Sequence, residues 1–341
     1  MKAMVLEKTA EIESKPLVLK ELPIPTPGPE QIRIKVTACG VCHTELDEIE
    51  GRLRPKLPII LGHEVVGTVE SSGSGASSFK TGDRVGIAWI NSSCRKCDFC
   101  RQGYENLCPE FIGTGCEANG GYAEYAIVSE DFAYPIPDIF SDSSAAPLLC
   151  AGAIGYRALR ITKLRDGQIL GLFGFGASAH IVIQIVKHKF PNSKVFVFTR
   201  AGQKNHQDLA AQLGADWTGA TGEIPPAKIH CAIDFTPAWT PIVEALKVLE
   251  KGGRVVINAI RKESKDKESL LKLDYPQHLW LEKEIKSVAN ITRKDAQEFL
   301  PLAAEIPIIP EVQEFALEEA NEALILLKQG KIQGAAVLKI S

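Results

Sequence analysis

Four cysteines fall within fifteen residues, Cys94, Cys97, Cys100 and Cys108, in the stretch SSCRKCDFCRQGYENLC. The spacing C-x2-C-x2-C-x7-C lets four thiolates converge on one tetrahedral ion, and full coordination leaves no place for a substrate. A disulfide cluster built from the same cysteines would call for a short, exported chain. A second set of soft ligands, Cys42, His63 and Cys150, spans more than one hundred residues. Two sulfurs and one imidazole leave the fourth position of a zinc ion free, as a Lewis acid that polarises a bound oxygen requires. One set reads as closed and structural, the other as open and catalytic.

A third group of residues has the pattern of a phosphate cradle. Gly174, Gly176 and Ala179 form G-x-G-x-x-A after the apolar run QILGLFG and before a helical segment. Gly174 allows a tight turn, Gly176 lets the backbone approach a pyrophosphate, and Ala179 lets helix and strand pack closely. The phosphates would sit on the helix N-terminus, where free N–H groups favour negative charge. The next strand ends on Phe198-Thr199-Arg200 rather than on a carboxylate. With no acid to hold a free ribose 2′-hydroxyl and a guanidinium able to hold a 2′-phosphate, NADP is favoured over NAD.

The elements that must carry these residues change character near residue 153. Before it, QIRIKV (31–36), EVVGTVE (64–70), RVGIAWI (84–90) and YAEYAIV (122–128) read as strands of a β-rich lobe. After it, strands expected at 168–174, 194–199, 231–236, 254–260 and 284–290 alternate with helical patterns at 179–189, 205–213 and 241–250, which predicts a parallel sheet wrapped by helices. Helical patterns at 294–304 and 317–329 and a last strand, AAVLKI, can return to the first lobe. The expected division is therefore 1–152 with 291–341, including a cysteine lobe at about 90–110, and 153–290 as an inserted dinucleotide-binding domain.

With 341 residues the chain has room for about two domains. A net charge of −3 supplies no basic field for nucleic acid. Glu7 and Lys8 interrupt the N-terminus before an apolar run can form, so neither export nor a membrane span is expected, and the location expected is cytoplasmic. Of the nine cysteines, Cys39, Cys116 and Cys231 remain as buried or free thiols.

CGVCHTE (39–45), GHEVVGTV (62–69), the four-cysteine lobe, LLCAG (148–152) and the glycine turn follow one another in the order of the zinc-dependent medium-chain alcohol dehydrogenases, which the chain resembles over nearly its whole length. The resemblance implies an α/β protein: a GroES-like β-rich catalytic domain, a Rossmann doubly wound parallel-sheet domain, and a cleft where zinc and nicotinamide meet. It implies two zinc ions per chain, the catalytic one on Cys42, His63 and Cys150 and the structural one on the four-cysteine lobe. Thr44 matches the hydroxyl that accepts the alcohol proton, Glu64 a transient fourth ligand, and Glu45 the carboxylate that orients the histidine, usually an aspartate. Asp47 stands where the family's proton relay often ends in histidine, Ile154 replaces a threonine facing the nicotinamide, and Ala335 replaces an arginine that clamps the pyrophosphate. That leaves His43 as a candidate for the missing charge. Trp89 resembles a tryptophan that narrows the pocket, with Ile112, Leu279 and Trp280 as further walls. The implied activity is interconversion of a small primary alcohol and its aldehyde by a homodimer or homotetramer. The rival readings are a polyol or amino-alcohol dehydrogenase, and a non-catalytic zinc- and nucleotide-binding protein.

Overall fold

A computed structural model describes residues 1–332 and 334–340. The chain divides into two compact units, one made of Met1–Cys150 and Ile291–Ser341, the other of Ala151–Asn290.

In the first unit the strand Gln31–Val41 alternates apolar and polar residues, so that Ile32, Ile34 and Val36 are fully buried on one face while Lys35 is exposed on the other. Among the described residues it is the centre of a seven-stranded sheet ordered Ala133–Pro135, Arg84–Ile87, Val65–Ser72, Gln31–Val41, Ala335–Lys339, Val312–Ala316, with Tyr125–Ser129 also paired to the central strand. The pairs are antiparallel except the last, between Val312–Ala316 and Ala335–Lys339. The C-terminal segment thus returns to this sheet. A second sheet, Leu17–Glu21, Lys2–Leu6, Ile59–Ile60, packs its apolar residues Met4, Val5 and Leu6 into the same core.

The second unit is a parallel sheet in the spatial order Trp217–Ala220, Lys194–Thr199, Ile169–Phe173, Ile229–Asp234, Leu249–Ile257, Glu284–Ser287. Numbered along the chain this is 3-2-1-4-5-6, the doubly wound order, with the direction of winding reversed between Ile169–Phe173 and Ile229–Asp234. Each strand expected from the sequence is present; Trp217–Ala220 is an addition. The helix Ala177–Lys189 buries Ile181, Val182, Ile185 and Val186, and Phe173 stacks on Phe198 with ring centroids 4.2 Å apart. Burying these side chains contributes roughly 1.5–3 kcal/mol each. Among the described residues no helix is long and apolar enough to cross a membrane.

Candidate active site

Cys42 follows the central strand directly and forms the N-cap of the short helix His43–Ile49. Glu45 in the first turn accepts a hydrogen bond from the Cys42 backbone N–H at 2.8 Å, and its other oxygen lies 2.5 Å from His63 Nδ1. With Nδ1 engaged, Nε2 is the nitrogen left to ligate. The extra methylene of glutamate, relative to the expected aspartate, therefore serves both a helix end and a histidine. His63 is placed by Gly62, whose φ of +96° suits glycine, and a Cβ there would run into the Tyr122 ring.

Cys42 Sγ and Cys150 Sγ are 4.0 Å apart. Two sulfurs at zinc distance and tetrahedral angle lie about 3.8 Å apart, whereas a disulfide requires about 2.05 Å. Ligand atoms of Cys42, His63, Glu64 and Cys150 all lie within 4.8 Å of one another. The donor set and its spacing fit zinc. Cys150 shares its proton with Cys42, and this, with the nearby His63, draws the Cys42 thiol well below its ordinary pKa. Burial, reinforced by Cys42, raises the Glu64 carboxyl well above the usual carboxylate range. Glu64 occupies the space over Gly40, where a Cβ would overlap its carboxylate. CGVC thus needs its glycine for Glu64.

The remaining sequence candidates are distributed unevenly. Thr44 is buried with Oγ1 3.7 Å from Cys42 Sγ. Trp89 meets His63 edge to face, ring centroids 5.3 Å apart at 84°. His43 is exposed beside Cys42. Asp47 lies on the same helix, but its carboxylate accepts from Arg52 Nε, so a proton relay through it runs against an ion pair. Arg52 was not among the candidates read from sequence. In the second unit Gly174 has φ +84°, and a Cβ on Gly176 would meet nothing within 4 Å, leaving open space over the start of helix Ala177–Lys189. Ala179 is fully buried. Thr199 ends its strand buried and accepts from Gln207 Nε2 at 3.0 Å; Arg200 follows, exposed. Gly334 and Ala335, at the start of the last strand, carry no cation.

The four-cysteine lobe hangs from the strand pair Ile90–Ser92 and Ile112–Gly113. Its four Sγ atoms lie within 4.8 Å of one another, with Cys94 and Cys100 3.9 Å apart. The N–H of Cys97 donates to Cys94 Sγ and that of Glu110 to Cys108 Sγ, both at 3.4 Å. Backbone N–H groups of Lys96 and Cys97 hold the Cys94 thiol down at about 7. Arg95 ties the lobe to Glu30, Ser129 and Asp131, and Arg293 reaches Glu105 at 2.7 Å.

Residues 28–138 match the alcohol dehydrogenase GroES-like domain. The whole chain aligns at 41% identity with 97% of a Mycobacterium tuberculosis (strain CDC 1551 / Oshkosh) protein described as "Probable alcohol dehydrogenase AdhA". It aligns at 34% identity with the full length of an alcohol dehydrogenase of Geobacillus stearothermophilus. A solved NAD-dependent alcohol dehydrogenase, 25% identical, superposes with a TM-score of 0.87 over all of both chains. Cysteine sets spaced for metal, a doubly wound nucleotide sheet and full-length relatives converge: the chain belongs to the zinc-dependent medium-chain alcohol dehydrogenase family.

Proposed function

We propose that the protein interconverts a small primary alcohol and its aldehyde, with NADP(H) preferred over NAD(H) and two zinc ions per chain. The observation that carries this reading is the open donor set, Cys42, His63 and Cys150 with Glu64 beside it. When bound, zinc supplies Lewis-acid polarisation of the substrate oxygen and the nicotinamide supplies a hydride acceptor. The chain's own residues do the rest. Glu45 fixes His63 in one tautomer. The Thr44 hydroxyl accepts the hydrogen bond of the alcohol O–H and, as that proton transfers, releases its own toward water. Glu64, whose carboxyl burial raises and which lies beside the donor set, would be a further residue able to hold the zinc. The start of helix Ala177–Lys189 receives the pyrophosphate.

Trp89 on His63 supports the choice of slim substrates. Replacing it by alanine is expected to raise kcat/KM for benzyl alcohol relative to ethanol about tenfold. A panel of short, benzylic and polyhydroxy alcohols reads the outcome; turnover confined to polyols would replace this substrate class with the polyol one.

The cofactor preference rests on the exposed Arg200 after a strand that ends without an acid, although the superposed structure is of an NAD-dependent enzyme. Hydrogen bonds to a charged partner contribute roughly 1.5–3 kcal/mol, or about 10- to 100-fold. Arg200→Ala should lower kcat/KM for NADPH by that factor and leave NADH within about twofold. Equal losses with both cofactors would defeat the preference.

A further inference from the structure

Lys262 lies in the loop after strand Leu249–Ile257, and no motif points to it. Its side chain is 9% exposed, and its ammonium donates to three acceptors: Asp234 Oδ2, the Thr236 carbonyl at 2.8 Å and the Ala238 carbonyl at 2.8 Å. An ammonium has three N–H groups, so each one is used. Asp234 is fully buried, and its other oxygen accepts from the N–H and the hydroxyl of Thr236 at 3.0 and 2.8 Å. Trp239 lies under the ammonium, 6.0 Å from ring centroid to Nζ.

The position of this cluster gives it meaning. Asp234 ends strand Ile229–Asp234 and is in register with Phe173, the last residue of strand Ile169–Phe173. The winding of the sheet reverses between these two strands, and ligands of such sheets bind outside the carboxyl ends at that point. Thr236 packs on the first glycine of the turn: a Cβ on Gly174 would lie 2.9 Å from Thr236 Cγ2. The glycine turn therefore has a wall, Thr236, which Asp234 holds and Lys262 completes. Two carbonyls and a carboxylate converge on one nitrogen; without its charge they repel one another and the wall opens.

We propose that Lys262 is a positioning residue for the dinucleotide, fixing the segment 234–238 against which the Gly174 turn is built. This rests on the nucleotide-binding reading above. A buried ion pair is a poor source of stability compared with apolar packing, but breaking one by removing a single partner is strongly unfavourable. The effect should therefore fall on cofactor affinity rather than on the chemical step. It should also be shared by NADPH and NADH, because the wall packs on Gly174, at the end of one strand, whereas the 2′-phosphate contact is expected at Arg200, after the neighbouring strand Lys194–Thr199.

The test is fluorescence titration of NADPH and NADH, with kcat, zinc content and melting temperature measured alongside. Lys262→Met should raise both dissociation constants at least about tenfold, with kcat at saturating cofactor within about threefold and zinc content unchanged. Adding Asp234→Asn should recover most of the loss, since the two residues act as one coupled unit. If Lys262→Met does not fold, Lys262→Arg keeps the charge but cannot offer one nitrogen to three acceptors, and both constants should still rise. Unchanged constants in the folded variant, or a lowered melting temperature with unchanged constants, overturn the proposal. Wild-type protein that binds neither nucleotide overturns the cofactor reading instead.

Discussion

Replacing Cys42 by serine should lower kcat/KM for alcohol oxidation at least about 1,000-fold and leave the melting temperature within about 3 °C of wild type. Lewis-acid stabilisation amounts to several kcal/mol, and each 1.36 kcal/mol is a factor of ten in rate. The fold should survive because the bond from the Cys42 backbone N–H to Glu45 is kept and a serine hydroxyl can take the sulfur's place in the capping box that starts helix His43–Ile49. Cys150, His63 and Glu64 would remain with one soft donor fewer, so on the proposed reading zinc content should fall by about one ion per chain. Unchanged turnover in a folded Cys42→Ser protein would reject the catalytic assignment and favour a non-catalytic binding protein.

Cys97→Ser should act in the opposite sense, on stability before chemistry. Coordination at a closed site contributes folding energy directly, so losing one of four thiolates should lower the melting temperature by roughly 5 °C or more. The lobe's other ties are side-chain pairs at its margins, Arg95 with Glu30 and Asp131, and Glu105 with Arg293. The Arg95 pairs are partly exposed and too weak to replace a metal, and the one buried carboxylate, Glu105, already has its partner in Arg293. At temperatures where the lobe remains docked, turnover should stay near wild type. A thermal melt followed by circular dichroism, with zinc counted before and after mild chelation, reads both quantities. An unshifted melt would refute the bracing role.

These expectations follow from residues that were legible because their chemistry is uncommon. Cys42, His63 and Cys150 are types that converge for few reasons other than metal, and the glycine turn lies between a strand and a helix that periodicity predicts. What could not be read involved ordinary residues brought together by the chain's path. Arg52 lies beyond the end of helix His43–Ile49, so no helical spacing links it to Asp47. Lys262 and Asp234 are 28 residues apart and meet only once adjacent strands have been laid down. Helix Ala151–Thr162 was hidden by its glycines, which look like turn signals. Gly155 is there for packing instead: a Cβ would lie 3.0 Å from Val182 Cγ2 in the neighbouring helix. Strand Trp217–Ala220 is four residues long, only partly buried and at the sheet edge, so no alternation marks it.

The return of the C-terminal segment to the first sheet sets an order of assembly during synthesis. Strand Gln31–Val41, which presents Cys42, takes Ala335–Lys339 as a neighbour, with Val41 opposite Ala336. A nascent chain has made Cys42, His63 and Cys150 by residue 150, yet the sheet that aims Cys42 lacks that strand until residue 339 has been added. The closed set is finished by residue 108 and depends on a single short stretch. A zinc at the closed set would therefore be within reach of a chain still on the ribosome, whereas one at the open set would await the strand that ends at residue 339.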